Sequence, residues 1–115
     1  LFVAPAEPLL ESPGCYLKVG IRMEFEWDAA KATSNQRKHQ VTFAEAVTVF
    51  FDPLAQIFDD EFHSEDEPRE IMIGHSAANR LLLVSYVERR SVIRIISARQ
   101  ATKRERRDYE EKPQY

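Results

Sequence analysis

The segment 93-IRIISARQATKRERRDYEE-111 sets the problem that the rest of the chain has to answer. Ile93, Ile95 and Ile96 form a β-branched run that predicts a strand over residues 92–98. Arg94 lies inside that run and Arg99 just beyond it. Thr102 and Glu105 then make a capping box, opening a helix crowded with Lys103, Arg104, Arg106 and Arg107. A guanidinium is costly to bury without a partner. A strand of this composition must therefore pair its arginines with carboxylates or turn them toward a surface that receives anions.

The preceding run, RLLLVSYVE at 80–88, is a strong strand and pairs with 92–98 as a hairpin. A two-residue hairpin loop needs positive φ at both positions and favours Asn-Gly, so Arg89 and Arg90 predict a three-residue loop over 89–91. Glu88 then faces Val92, Tyr86 faces Arg94 and Val84 faces Ile96. Alternation puts Glu88, Tyr86 and Arg94 on one side of the sheet. A bulge at Ser97 and Ala98 would re-aim Arg99 toward them. Two readings of this group remain open. In one, guanidiniums clamp a phosphodiester while Glu88 takes a proton from a hydroxyl. In the other, Glu88 and Arg94 are a structural ion pair at the sheet edge.

Upstream, MEFEWD at 23–28 alternates Met23, Phe25 and Trp27 with acids, as a half-buried strand does. Asp28 is an N-cap for a helix to about His39, on which Lys31, Asn35 and Lys38 share a face by spacing. Thr42 and Glu45 cap a second helix whose Phe43, Ala46, Val47 and Phe50 form an apolar stripe, ended before Pro53. Short strands are expected at 54–58 and 69–75. The order strand, helix, helix, four strands, helix predicts an α+β domain, an antiparallel β-sheet packed with two N-terminal helices and a C-terminal helix. Residues 1–22 carry Pro5, Pro8, Pro13 and Gly14 and are expected to be an irregular extension, with a loose strand at 15–21. The domain proper is expected at 23–115.

A chain of 115 residues with 43% apolar and 30% charged side chains fits one globular domain. No apolar run is long enough to span a membrane, and residues 1–22 do not read as a signal peptide. The lone Cys15 allows no internal disulfide, which points to a reducing, cytoplasmic setting. The net charge of −3 conceals a strong asymmetry. Residues 59–70 hold seven acids against one arginine, whereas 80–107 hold nine Lys or Arg against two Glu. The basic quarter is an electrostatic footprint for phosphate.

The segments FEWDAAKATSNQRKHQVTFAEAVTVFFDP, HSEDEPREIMIG, RLLLVSYVER and IRIISARQATKRERRDYEE together resemble the BrnT family of type II toxin–antitoxin ribonucleases. The resemblance runs from Met23 to about Glu111, and the closing RIISAR.AT..ER..Y pattern is its most specific part. The family's motifs fall on Trp27, Asp28, Lys31, Asn35, Lys38, His39, Glu88, Arg94, Arg99 and Tyr109. The resemblance implies a RelE-like fold and a toxin that inhibits translation and growth by cutting RNA without a metal or other cofactor. It also implies a cognate BrnA-like antitoxin that covers the toxin and carries DNA contact only indirectly, through the complex. Residues 1–22 depart from the family pattern, and SYVER stands where HTER is commoner, with Tyr86 near the usual histidine. Metal-free cleavage through the 2′-hydroxyl assigns Glu88 as candidate base, Arg94 and Arg99 as electrostatic clamps and Lys31 as an auxiliary contact. Arg80, Arg104 and Arg107 would position the RNA backbone.

The acidic stretch around His63 lacks a spaced ligand pattern for a metal hydrolase. His75 reads as a strand-end residue, Trp27 as a core anchor, and Cys15 as a thiol without a nearby base. The alternative of another class is a noncatalytic nucleic-acid- or protein-binding module with a structural Glu88–Arg94 ion pair.

Overall fold

The structure, a computed structural model, describes residues 2–4, 23–60 and 68–111. Its elements in chain order are β1 (Phe2–Ala4), β2 (Glu24–Trp27), α1 (Ala29–His39), α2 (Phe43–Thr48), a 3₁₀ turn (Val49–Phe51), β3 (Gln56–Asp59), β4 (Glu70–His75), β5 (Leu81–Arg89), β6 (Val92–Gln100) and α3 (Lys103–Glu111).

The helix boundaries follow from local chemistry. The Asp28 carboxylate accepts from the backbone N–H of Ala30 at 2.8 Å and of Lys31 at 3.3 Å, which starts α1. Gln40 ends it in the left-handed region at φ 58°. The Thr42 hydroxyl accepts from the Glu45 N–H at 3.0 Å and starts α2. At α3 the box closes both ways. The Glu105 N–H donates to the Thr102 hydroxyl at 3.1 Å, and the Thr102 N–H donates to Glu105 Oε1 at 2.8 Å.

The six strands lie in the order β1-β2-β6-β5-β4-β3. Strands β3 to β6 form the expected antiparallel meander. The all-antiparallel expectation fails at β2, which runs parallel to β6 and sets Phe25 beside Ile93. Two helices and three strands separate β2 from β6 in the chain, so no hairpin dictates their direction, and the parallel pairing leaves Phe25 buried in the core. Residues Phe2–Ala4, within the segment expected to be irregular, pair antiparallel with β2. The strand anticipated at 15–21, and residues 61–67 of the acidic stretch, lie outside the described residues.

Helices α1 and α2 cover one face of the sheet, here called inner. Phe25, Phe43, Val47, Leu82, Val84, Tyr86, Ile93 and Ile95 close the core there. Phe50 bridges Phe25 and Tyr86 edge to face, with ring centroids at 5.2 and 4.9 Å. Trp27 meets Phe43 at 5.8 Å, as a core anchor should. On the outer face, α3 lays Tyr109 against Ile73 and Leu81.

The β5–β6 connection differs from expectation. It is a two-residue turn, Arg90 and Ser91, with φ of 49° and 72°. Neither residue suits that region, at about 1–2 kcal/mol each. The strain is offset by nine-residue strands whose register buries Leu82, Val84, Tyr86, Ile93, Ile95 and Ala98 together. Glu88 consequently faces Ile93 rather than Val92, and Arg94 faces Val87 rather than Tyr86. Between Ser85 and Tyr86 the register shifts: Ser85 faces Ser97 and Tyr86 faces Ile95, leaving Ile96 as the extra residue of a bulge.

Candidate functional site

The altered register redistributes the residues that the sequence grouped. Tyr86, Glu88 and Ile93 belong to the inner row, and Val87 and Arg94 to the outer one. Glu88 and Arg94 therefore lie on opposite sides, and neither the shared proton-and-phosphate site nor the structural ion pair built from them forms. Arg94 instead approaches Glu26 on the parallel neighbour β2, at 4.0 Å. The exposed carboxylate of Glu88 stays on the side of Tyr86. Burial first, and then Glu70 and Glu88, push the Tyr86 phenol far above its usual range.

The bulge decides where Arg99 goes. Residues 94 and 99 are five apart, which in a regular strand means opposite faces. Ile96 adds one residue and reverses the parity, so Ala98 is buried in the inner core while Arg99 stands opposite Leu83 in the outer row. Arg94 and Arg99 thus share the outer face.

On that face Arg99 enters a groove of about 610 Å³ lined by Asp60, Arg69, Ile71, Leu83, Ser85, Ile96, Ser97 and Glu105. Its floor is apolar and its walls carry two guanidiniums, two carboxylates and two hydroxyls. Arg99 Nη1 and Nη2 donate to Glu105 Oε1 and Oε2, both at 2.8 Å, and Nη1 also reaches the Gln100 carbonyl at 3.2 Å. The end of the fork is thereby held by the same carboxylate that caps α3. Among the described residues, nothing engages the Nε–H. Nε and the second Nη2 hydrogen form the side edge of the guanidinium, which matches two phosphate oxygens. The Arg99 guanidinium holds the Glu105 carboxyl down to about 2, with the Thr102 contacts assisting.

The other sequence candidates fall elsewhere. Arg80 is locked to Glu45: its Nε donates to Oε2 at 2.9 Å and its Nη2 donates to Oε1, while Nη2 also reaches the Gln40 carbonyl at 3.1 Å. Ser76 adds a hydroxyl donor to the same carboxylate at 2.7 Å. That fork ties α2 to the start of β5, and Arg80 does not line the groove. Lys31 is exposed in the first turn of α1, also outside it, and Arg104 and Arg107 are exposed on α3. His75 ends β4, its N–H donating to Asp52 at 2.7 Å and its ring against Tyr109.

Sequence reasoning missed Asp60, Arg69, Ser85 and Ser97 as lining residues, because only the sheet register and the return from β3 to β4 bring them together. It placed Asn35 on a face with Lys31 and Lys38. The lysines are exposed, whereas Asn35 is only 6% exposed. An asparagine in mid-helix, where its propensity is poor, was the available signal.

The family model described as "Ribonuclease toxin, BrnT, of type II toxin-antitoxin system" matches residues 27–105. The chain belongs to the BrnT family. The matched span includes Arg94, Arg99 and Glu105 and every residue that lines the groove. Among solved structures, the BrnT ribonuclease toxin of Brucella abortus is similar, with a TM-score of 0.53 and 25% identity. The similarity covers 67% of this chain and 94% of that one. No curated protein matches. Membership in BrnT makes the chain a ribonuclease toxin of a type II system, with an antitoxin as partner and RNA as substrate. No helix among the described residues is long and apolar enough to cross a membrane.

Proposed function

We propose that this BrnT chain is a metal-independent endoribonuclease that cuts RNA by attack of the 2′-hydroxyl, and that the outer-face groove is where it does so. The observation that carries this is Arg99, which lines the groove and is held end-on by Glu105 with its Nε–H unengaged among the described residues. A phosphodiester seated there gains bidentate, charge-assisted hydrogen bonds, and the same donors stabilise the extra charge of the phosphorane-like transition state. Arg69 adds a second guanidinium in the groove, and Arg94 adds positive charge on the same face.

In the reaction a base takes the 2′ proton and the 2′ oxygen bonds to phosphorus. The bond from phosphorus to the 5′ oxygen breaks, and that oxygen takes a proton from water. The products are a 2′,3′-cyclic phosphate and a free 5′-hydroxyl. Two carboxylates line the groove. Glu105, held near 2, is a weak acceptor at neutral pH. We therefore assign the base to Asp60 rather than to Glu88, which faces the other way. A BrnA-like antitoxin that covers the outer face would block the groove, and any DNA contact would belong to the antitoxin's part of the complex.

The deciding experiment is single-turnover cleavage of single-stranded RNA by partner-free protein in excess EDTA. Cleavage should persist with the chelator and vanish on RNA carrying 2′-deoxy at the cut site. Asp60→Asn should slow it about 10²–10⁴-fold, and Glu88→Gln should leave it unchanged. Loss of activity in EDTA that a divalent ion restores would defeat the metal-independent mechanism. A slow Glu88→Gln beside a normal Asp60→Asn would return the base to Glu88.

A further inference from the structure

We infer that Asn35 is a positioning residue for Arg99. Its buried amide pins β6 just beyond the Ile96 bulge, and so keeps the guanidinium on the groove side. The inference rests on the assignment of Arg99 to the RNA site.

All of the amide's strong capacity is directed at two backbone segments. Nδ2 donates to the Ala98 carbonyl at 2.8 Å and to the Val41 carbonyl at 3.0 Å, and Oδ1 accepts from the Ala98 N–H at 3.0 Å. With Ala98 the side chain exchanges the two bonds that a neighbouring strand would exchange. It does so where such a strand is missing, because the registered pairing of β2 with β6 ends at Arg94. One side-chain amide therefore extends the sheet by one residue pair and ties it to α1.

The place matters because of parity. If β6 slipped by one residue and absorbed Ile96 into the ladder, Ser97 would face Val84 and Arg99 would face Leu82, both now buried. Arg99 would leave Glu105 and the groove together. The bulge is the alternative with Ala98 inward. The amide binds backbone groups, so it anchors β6 at the residue next to Arg99 once Ala98 is inward, while the burial of Ala98 and the cost of an inward Arg99 select that register. The rival explanation is that the small, buried Ala98 and the apolar pattern hold the register unaided.

The test compares Asn35→Ala, Arg99→Ala and their combination with Val47→Ala, a core truncation on α2 that takes no part in the Asn35 hydrogen bonds or the groove lining. Two quantities are read on folded protein: single-turnover RNA cleavage and the ¹⁵N signal of the Arg99 Nε–H. Asn35→Ala should slow cleavage about 10²-fold, the scale of a misplaced reacting group. It should also shift the Arg99 signal as Glu105→Gln does. The double variant should be no slower than Arg99→Ala, because both changes remove one unit. Val47→Ala should melt lower with rate and signal unmoved. Asn35→Ala that melts lower while keeping both overturns the inference. If Arg99→Ala cleaves normally, the ribonuclease role of Arg99 fails, but the Nε–H signal still judges the positioning.

Should Asn35→Ala fail to fold, deletion of Ile96 keeps the test decisive. A regular β6 puts Arg99 on the outer side by alternation alone, so in that chain Asn35→Ala should fold and leave the Arg99 signal in place. If it instead unfolds, or loses the signal, Asn35 supports the fold and not the bulge.

Discussion

Arg94 and Arg99 stand on the same side of β6 although five residues separate them, because Ile96 bulges out between them. They are nevertheless in different settings. Arg94 sits beside Glu26 at 4.0 Å, too far for a good hydrogen bond, whereas Arg99 grips Glu105 at two points. The stronger pairing belongs to the arginine that lines the groove. In the proposed site, such a pair would act on the orientation of Arg99 first and on its charge second.

Charge stabilisation should follow this ranking. Arg99→Ala is expected to lower the single-turnover rate about 10²–10³-fold, the range for losing one preorganised donor. Arg99→Lys should recover little, since an ammonium cannot hold Glu105 and a phosphate side by side. Arg94→Ala should cost less in rate and chiefly weaken binding, with a shallower salt dependence. Equal losses from both arginines would put the reacting phosphate between them.

Acid stability should register the Glu105 fork. Its carboxyl is held near 2 in the folded chain against an ordinary 4.5, with Arg99 as the main cause. A folded-state value below the unfolded one means stabilisation that is complete above about 4.5 and lost as pH falls toward 2. The side chains are 39% and 31% exposed, so solvent screens part of the effect. Melting temperatures from pH 2 to 6 should drop less steeply for Glu105→Gln than for the parent, and the variant should melt lower at pH 7. Parallel curves would remove the fork from the stability of α3.

Arg80 is expected to contrast with Arg99. Its fork with Glu45, which also holds that carboxyl below its usual range, joins α2 to the sheet. Arg80→Ala should lower the melting temperature and leave the cleavage rate and the salt slope of RNA binding in the folded fraction as they were. A shallower salt slope would give Arg80 a phosphate after all.

Gly74 tests the packing above β4. A Cβ there would come within 2.8 Å of Ala55 Cβ, 3.0 Å of Asp52 Oδ2 and 3.1 Å of Val49 Cγ1. Asp52 cannot yield, because its carboxylate accepts from the N–H groups of Leu54 and His75. Gly74→Ala should destabilise the fold by about 1–3 kcal/mol in urea unfolding, the usual range for overpacking.

The local chemistry of this chain is written in its sequence. Asp28, Thr42 and Thr102 start the helices where their oxygens can reach orphan N–H groups, and Pro53 lies just past the 3₁₀ turn that follows the second. The meander β3 to β6 follows from apolar runs with short links, and the motifs between residues 27 and 105, RIISAR.AT..E among them, carry the family. Those signals act over a few residues, so no partner from elsewhere is needed to interpret them. What the sequence could not decide is which side each of its arginines faces. That depends on a turn of two residues instead of three and on one extra residue at Ile96, and a single step of register exchanges the faces of a strand. The choice follows from the joint burial of Leu82, Val84, Ile95 and Ala98 against helices some fifty residues earlier, and the Asn35 amide bonds the strand at Ala98. Those non-local energies exceed the preferences of Arg90 and Ser91, so Glu88 and Arg94 part company while Arg94 and Arg99 are brought to one side.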